Sequence, residues 1–477
     1  MEKELPINWK LTKVVDISEI VRGITYQKSD ASTTIFDNSC LVLRGGNIQD
    51  GKIVIEDDCV YVPDSIVKKD QKLRIGDVII VGSTGSAKLI GKAAFSLSDE
   101  DKISFGAFLI MLRPNKKIES RYFDYFFLTE FYRTEIRELA GGININNIRR
   151  EHLEGIDFPL PPLQEQQRIV AKLDTLFGHL DALKTRLDRI PQLMKDFRQK
   201  VLTQAVTGKL TDDYNNFENW DFVSIDKLVG SIRTDIRTGP FGSSLNKAEH
   251  QLDGIPVWGI ESISKKGEFT GHNKIFITKA KSRELKSFEV LGGDIIISRS
   301  GTVGELCLLP NDISFGIIST NLMKISLNKK VINPTFFCYQ FKGSQELLDK
   351  LQELCSGSTR LFLTQSILKK LLFVLPHLEE QQEIVRRVES LFVKADQIEA
   401  SYQKLKAKIE ALPQALLAKA FRGELVAQLP TDGDVRDLLE QIKRAKEGLG
   451  KGGKSKKLKT EDEVRMVAAA GARFGKK

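Results

Sequence analysis

Cysteine is scarce and unpaired in this chain. The five among its 477 residues, Cys40, Cys59, Cys307, Cys338 and Cys355, form no C-x-x-C pair. Such an odd, scattered set excludes a disulfide scaffold and fits reduced thiols in a cytosol. No apolar run approaches the roughly 20 residues that span a bilayer. The first ten residues, MEKELPINWK, lack the apolar core of a signal peptide. A soluble, cytoplasmic protein is expected.

Catalytic signatures are missing as well. The five histidines (His152, His179, His250, His272, His377) show no H-E-x-x-H or His/Cys pairing, so no zinc site is expected. There is no G-x-S-x-G elbow and no plausible Cys–His arrangement. The run Gly448-Leu449-Gly450-Lys451-Gly452-Gly453-Lys454-Ser455 matches both the P-loop pattern and G-x-G-x-x-G. A P-loop needs a buried strand before its glycines and a helix after them. Here RDLLEQIKRAKEG precedes it, a charged amphipathic helix, and KKLKTEDE follows, so a basic flexible tail is the better reading. What remains is ordinary: 41% hydrophobic and 28% charged residues, enough to build cores in two to four domains.

A repeat organises the chain. FPLPPLQEQQRIVAKLDTLF begins at Phe158, and FVLPHLEEQQEIVRRVESLF begins 215 residues later at Phe373. The register holds without a gap to Leu210 and Leu425. About a third of aligned positions are identical, against a chance level of roughly one in fifteen to twenty. Fainter echoes lie between the copies. Asn8-Trp9 matches Asn219-Trp220, Gly76-Asp77-Val78-Ile79-Ile80 matches Gly293-Asp294-Ile295-Ile296-Ile297, and Asn115-Lys116-Lys117 matches Asn328-Lys329-Lys330. Two copies are too few for a solenoid.

The repeated segments read as long helices. Leu173, Leu176, Leu180, Leu183, Leu187, Ile190, Met194, Phe197 and Val201 alternate three- and four-residue steps. Val388, Leu391, Ala395, Ile398, Tyr402, Leu405, Ile409, Leu412 and Leu416 repeat them at the same offset. A stripe this long predicts that the two helices pack on each other as a coiled coil. Pro161 and Pro376 mark their starts, and Gly208 and Gly423 their ends. From Leu163 to Val206 such a helix spans roughly 65 Å. Pro191 and Pro413 each remove a backbone hydrogen bond and predict kinks. Paired carboxylates at the helix starts, such as Glu379-Glu380, are read as complementing the helix dipole.

The intervening regions read as mixed α/β domains. CLVLRGGNI, GDVIIVG, FGAFLIML, GDIIISRSG and NLMKISL are short β-branched strands bounded by turn residues. SRYFDYFFLTEFYRTEIREL and PTFFCYQFKGSQELLDKLQEL are helical. The loops carry donors suited to nucleic acid. Arg44, Asn47 and Gln49 are the side-chain types that pair with guanine and adenine edges. Ser83, Thr84, Ser86 and Lys88 follow one apolar strand, and Arg299, Ser300 and Thr302 follow another, in small-residue loops that suit close approach to phosphate. Gly141–Asn147 and Gly357–Arg360 add polar, glycine-rich loops before each long helix.

With these residues in view, the chain resembles the DNA-specificity subunit of a Type I restriction–modification system. The motifs that carry the resemblance are the paired PLPPLQEQQ and VLPHLEEQQ segments, QAVTGKLT with AKAFRGEL, and RGITYQK, LRGGNIQDGK and GGININNI. The tail DLLEQIKRAKEGLGKGGKSKK resembles the Type IA group. The resemblance implies an α+β fold: two pseudo-symmetric globular α/β target recognition domains linked by two long helices in an antiparallel coiled coil. On this reading residues 1–157 are recognition domain 1, 158–210 helix 1, 211–372 recognition domain 2, 373–425 helix 2, and 426–477 a C-terminal helix with a basic flexible tail.

The resemblance further implies that each domain reads one half of a bipartite double-stranded DNA target while the helices set the spacer. Two modification subunits carrying S-adenosylmethionine would methylate adenine. Two restriction subunits using ATP and magnesium would translocate and cleave. The chain itself would bind no cofactor or metal and catalyse nothing. The candidate DNA contacts are Arg44, Asn47, Gln49, Ser83, Thr84, Ser86 and Lys88 in the first domain, and Lys265, Arg299, Ser300, Thr302 and Arg360 in the second. Glu165, Gln166 and Gln167, with Glu380, Gln381 and Gln382, would hold partners or the helix base. A coiled-coil adaptor binding only proteins is the alternative.

Charge sharpens this. Residues 441–477 carry 12 Lys and Arg against 4 Asp and Glu, which is +8 of the net +9. The rest is nearly neutral, so the readers alone are expected to grip DNA weakly and to depend on their partners for phosphate contacts.

Overall fold

The computed structural model describes residues 5–49, 51–55, 59–141, 146–214, 220–240, 244–264, 266–313, 315–355 and 362–447. Lys265, Arg360 and the P-loop-like run lie outside these residues. The chain forms two compact units, residues 1–185 with 406–477, and residues 186–405.

Each unit holds one reader built on the same plan. In the first, a four-stranded antiparallel sheet runs in the order Ser18–Arg22, Leu109–Pro114, Val78–Val81, Ala93–Phe95. In the second the order is Ile236–Thr238, Leu322–Ile325, Ile295–Ser298, Leu306–Leu308, again antiparallel throughout. The central strands Val78–Val81 and Ile295–Ser298 are buried at every position, as continuous β-branched runs should be. Each unit has a second sheet containing one parallel pair, Ser39–Leu43 with Ile103–Phe105 and Ile255–Trp258 with Gly316–Ile318.

The helical stretches split where side chains cap new starts. Ser120–Phe126 gives way to Glu130–Ala140 at Thr129, whose hydroxyl accepts from the Tyr132 N–H. Pro334–Gly343 is followed by Gln345–Cys355. The residue that opens each repeat, Phe158 or Phe373, is fully buried in a ring cluster against these helices. Phe158 lies 4.7 Å from Phe126 and 5.6 Å from Phe123, and Phe373 lies 4.9 Å from Phe337.

The base of each long helix is latched to its reader by equivalent bonds. In the first unit Trp9 Nε1 donates to Glu165 Oε2 (3.0 Å), and Gln166 accepts from the Glu119 N–H (3.0 Å) while donating to the Pro161 carbonyl (2.8 Å). In the second, Trp220 Nε1 donates to Glu380 Oε2 (3.1 Å), and Gln381 accepts from the Asn333 N–H (2.7 Å) and donates to the Pro376 carbonyl (2.8 Å). Glu380 therefore turns inward to accept hydrogen bonds rather than simply complementing the helix dipole. Gln167 and Gln382 are exposed.

The first long helix comprises Leu163–Leu187 and Ile190–Val206, interrupted at Asp188-Arg189, with Pro191 in the opening turn of the second piece. The second runs unbroken from Leu378 to Phe421 and carries Pro413 inside it. The helix thus continues through Pro413 without the N–H that would have met the Ile409 carbonyl. Gly208 (φ +74°) and Gly423 (φ +72°) end them in the left-handed conformation.

In each unit the start of one helix meets the end of the other, so they run antiparallel. Leu173 shares a core with Leu417, Ala420 and Phe421 in the first unit. Val201, Leu202 and Ala205 share one with Ile384, Val385 and Val388 in the second. The stripe is not buried at every rung. Leu173, Leu180, Leu187 and Val201 are buried, as are Val388, Ala395, Tyr402 and Ile409. The intervening row turns outward: Leu183 and Phe197 are exposed, and so are Ile398, Leu405 and Leu412. The fully buried rungs of the predicted coiled-coil seam alternate with exposed or half-buried ones, Leu391 among the latter still touching the second core.

The first unit is closed by the C-terminal segment. Arg168 makes a charge-assisted hydrogen bond from Nη2 to Asp432 Oδ2 (2.8 Å) and another to the Ala427 carbonyl (2.9 Å). This holds the Asp432 carboxyl below its ordinary pKa. A helix over residues 435–447 then buries Val435, Leu438 and Ile442 in the first core. Lys446 Nζ donates to the Val15 carbonyl. In the second unit Arg387 makes the corresponding bonds to Asp213 (2.6 Å) and the Leu210 carbonyl (2.8 Å).

Candidate nucleic-acid interface

The first reader presents two loops from adjoining strands. Strand Ser39–Leu43 runs into the Arg44–Asn47 turn, which Asn47 closes: its Oδ1 accepts from the Arg44 N–H (2.7 Å) and its Nδ2 donates to the Val54 carbonyl (2.9 Å). Asn47 is 3% exposed, so its amide shapes the loop while Arg44 and Gln49 face solvent. Gln49 also donates to the Gly46 carbonyl (3.1 Å).

The second loop leaves strand Val78–Val81. The N–H groups of Gly82 and Ser83 share the Phe108 carbonyl (2.8 and 3.0 Å), and the Ile148 N–H donates to the Gly82 carbonyl (2.8 Å). Ser83-Thr84 pairs with Asn146-Asn147, which brings two segments distant in sequence side by side. Thr84 Oγ1 accepts from the Ser86 N–H (3.2 Å), and the Lys88 side chain is exposed. Arg133, which sequence reading passed over, supports this loop from below through the Lys88 and Ile90 carbonyls (both 2.9 Å). Its i, i+4 position beside Arg137 on helix Glu130–Ala140 was the available signal.

The second reader repeats the joint with different chemistry. The Arg299 N–H donates to the Asn321 carbonyl, and the Leu363 N–H donates to the Arg299 carbonyl (both 2.9 Å). Arg299 thus stands where Gly82 stands in the first reader. Its side chain folds back on the loop: Nε donates to the Leu363 carbonyl (3.2 Å), Nη1 to the Thr320 carbonyl (3.3 Å), and the guanidinium lies 5.7 Å from the Phe362 ring. It is 9% exposed, and burial lowers its pKa from the ordinary arginine value. Ser300 Oγ donates to Asn321 Oδ1 (2.8 Å), and Thr302 is exposed.

A family model described as the Type I restriction modification DNA specificity domain matches the chain twice, over residues 6–192 and 219–411. The chain belongs to this family. It is 34% identical over 460 residues to the EcoKI specificity subunit of Escherichia coli K12, covering 94% of this chain and 97% of that one. It is 33% identical over 434 residues to the StySPI specificity subunit of Salmonella potsdam, covering 89% and 91%. The HsdS subunit from Thermoanaerobacter tengcongensis shares the fold, with a TM-score of 0.61 at 18% identity over 89% of this chain and 99% of that one. A chain from a structure concerned with assembly and conformational transition of the type I R-M system also scores 0.61, at 18% identity, covering 88% of this chain and 100% of that one.

Within a specificity chain the two joints take on meaning. The backbone scaffold at Gly82 and Arg299 is the same, while the side chains it displays differ. The exposed set is Arg44, Gln49, Lys88 and Thr302, with Ser83, Thr84, Ser86 and Ser300 half-buried at the loop necks. These relatives favour a DNA-addressing role over the protein-only adaptor.

Proposed function

We propose that this chain is the address-giving subunit of a Type I restriction–modification complex, each reader contacting one half of a bipartite DNA target and the paired helices setting the spacing. The observation that carries this is the repeated loop joint with altered chemistry. Two structurally equivalent supports, Gly82–Ile148 and Arg299–Leu363, hold loops of unlike side chains, as two readers of unlike half-sites require. In the first reader base-edge contacts fall to Arg44 and Gln49, with Ser83, Thr84, Ser86 and Lys88 beside them. In the second they fall to Ser300 and Thr302, with Arg299 positioning them, and Lys265 and Arg360 are assigned from sequence alone.

Two modification subunits and two restriction subunits complete the complex. The outward rows of the long helices support a protein partner present in two copies, because Leu183 and Phe197 recur as Ile398 and Leu412 at the repeat offset. Exposed leucine-class side chains at regular spacing suit burial by another protein. S-adenosylmethionine, ATP and magnesium belong to those partners. Single-molecule methylome sequencing of a host carrying the complex tests the reading. One bipartite motif with a methylated adenine in each half is expected; a continuous motif, or none, would reject it.

A further inference from the structure

The first unit contains an open cleft of about 1000 Å³ between the reader's loops and the long helices. Seven Lys and Arg line it against three Asp and Glu. That concentration is notable because residues 1–440 carry only +1 of the chain's +9. The cations come from four places: Lys52 on the hairpin after Gln49, Lys88 on the second loop, Arg121 and Arg137 on the reader helices, and Lys184 on the first long helix. Gln49 and Lys88, both candidate DNA contacts, lie on its wall.

Not all of this charge is available. Arg121 meets Asp174 (3.3 Å), Arg137 meets Glu130 (3.1 Å), and Arg133 supports the loop backbone. Among the described residues, Lys52, Lys88 and Lys184 form no ion pair. Helix Glu130–Ala140 is also sided: Arg133 and Arg137 face the cleft, whereas Glu135 and Glu138 line a separate concavity with Asp157. A wide, open, positively charged trough beside hydrogen-bonding loops matches a polyanion backbone better than a small ligand, which would need enclosure.

We propose that this cleft takes the DNA backbone next to the first half-site, with Lys52, Lys88 and Lys184 neutralising phosphates. The proposal rests on the DNA-addressing reading and deepens it. It also makes the two sides unequal. At the equivalent positions Arg121 becomes Thr335, Arg137 becomes Gln352 and Lys184 becomes Glu399. In the second unit the aligned helix faces Arg198 instead, which bonds Asp396 (2.6 Å) and reaches Glu399 (3.7 Å). The first side therefore holds backbone through Lys184 where the second side carries Glu399, and part of the phosphate grip belongs to this chain rather than to its partners.

The test uses the chain assembled with its modification subunits on its own target duplex, with affinity measured across salt. Each phosphate contact contributes about 0.9 to the slope of log K against log salt. The triple variant K52Q/K88Q/K184Q should lower that slope by about 2.7, so the affinity lost between 50 and 200 mM salt shrinks about 40-fold. K52R/K88R/K184R should restore the slope. An unchanged slope in the glutamine variant, with wild type still preferring its bipartite target, overturns this proposal alone. A changed first half-site with unchanged slope also overturns it, by making Lys88 a base reader. A wild-type complex with no preference for a bipartite duplex overturns the addressing reading and this inference together.

Discussion

Trp9 and Glu165 lie 156 residues apart and share a buried hydrogen bond of 3.0 Å that ties the first strand of the reader to the base of its long helix. Gln428 donates to the other carboxylate oxygen (3.1 Å), so one side chain joins three distant parts of the unit. Glu380 does the same for the second unit with Trp220 and Thr211. Burial raises the Glu165 pKa, and the bonds from Gln428 and Trp9 oppose that rise. Replacing Glu165 with Ala strands the buried Trp9 donor and releases Gln428, and should cost about 1–3 kcal/mol. Hydrogen exchange should accelerate in the Lys10–Lys13 and Asp157–Leu160 ribbon, while Asp221–Ser224 stays protected. Glu380→Ala should reverse the pattern. Equal responses in both ribbons would mean that the latches are not local.

The helix over 435–447 belongs energetically to the first reader. Val435, Leu438 and Ile442 are buried in its core, and each such side chain contributes about 1.5–3 kcal/mol. Truncation after Asp432 should make the first reader sensitive to limited proteolysis and leave residues 220–375 resistant. Arg168→Ala should give a milder form of the same effect.

Asp124 sits at 1% exposure, with neither carboxylate oxygen hydrogen-bonded among the described residues and Arg121 at 3.6 Å. Burial, opposed by Arg121, raises its pKa to about 8. The unfolded carboxyl titrates near 3.9, so between roughly pH 4 and 8 the folded state holds a proton that the unfolded state has released. Stability from this group therefore falls as pH rises through that window. Asp124→Asn should be the more stable protein at pH 8, by on the order of 3 kcal/mol, with the difference vanishing near pH 4. Denaturant melts at both pH values check it; a constant difference would contradict it.

Gly343 allows the first long helix to touch the second reader. A Cβ there would lie 2.4 Å from the Leu202 carbonyl oxygen, and the Gly343 carbonyl accepts from Thr203 (3.0 Å). Gly343→Ala should destabilise the second unit by about 2–3 kcal/mol, read as a lower denaturant midpoint for that unit. Lengthening the helix at Thr203 to alter the spacer would break the same contact, so an insertion belongs at the Asp188-Arg189 interruption instead.

Much of the architecture was legible because it is periodic or repeated. Strands such as Val78–Val81 declare themselves by continuous burial chemistry, and Gly208 and Gly423 by position. Less was legible where partners are distant. Asn47 looks like a base reader until its amide is seen to close on Arg44 and Val54. Glu380 looks like a dipole complement until Trp220, 160 residues away, is found bonded to it. Arg299 reads as a phosphate donor on an exposed loop, yet its donors meet the Leu363 and Thr320 carbonyls. The helical stripe predicted the seam but could not say that buried rungs alternate with exposed or half-buried ones, since apolar residues on a docking face and in a core have the same spacing.

The central claim is that the two readers address DNA independently, and a reader exchange tests it most directly. Residues 1–157 are replaced by the corresponding segment of another specificity chain, the hybrid is expressed with its modification subunits, and the host methylome is sequenced. One half of the bipartite motif should change while the other half stays as it was. An unchanged motif, or one altered in both halves, would contradict the account.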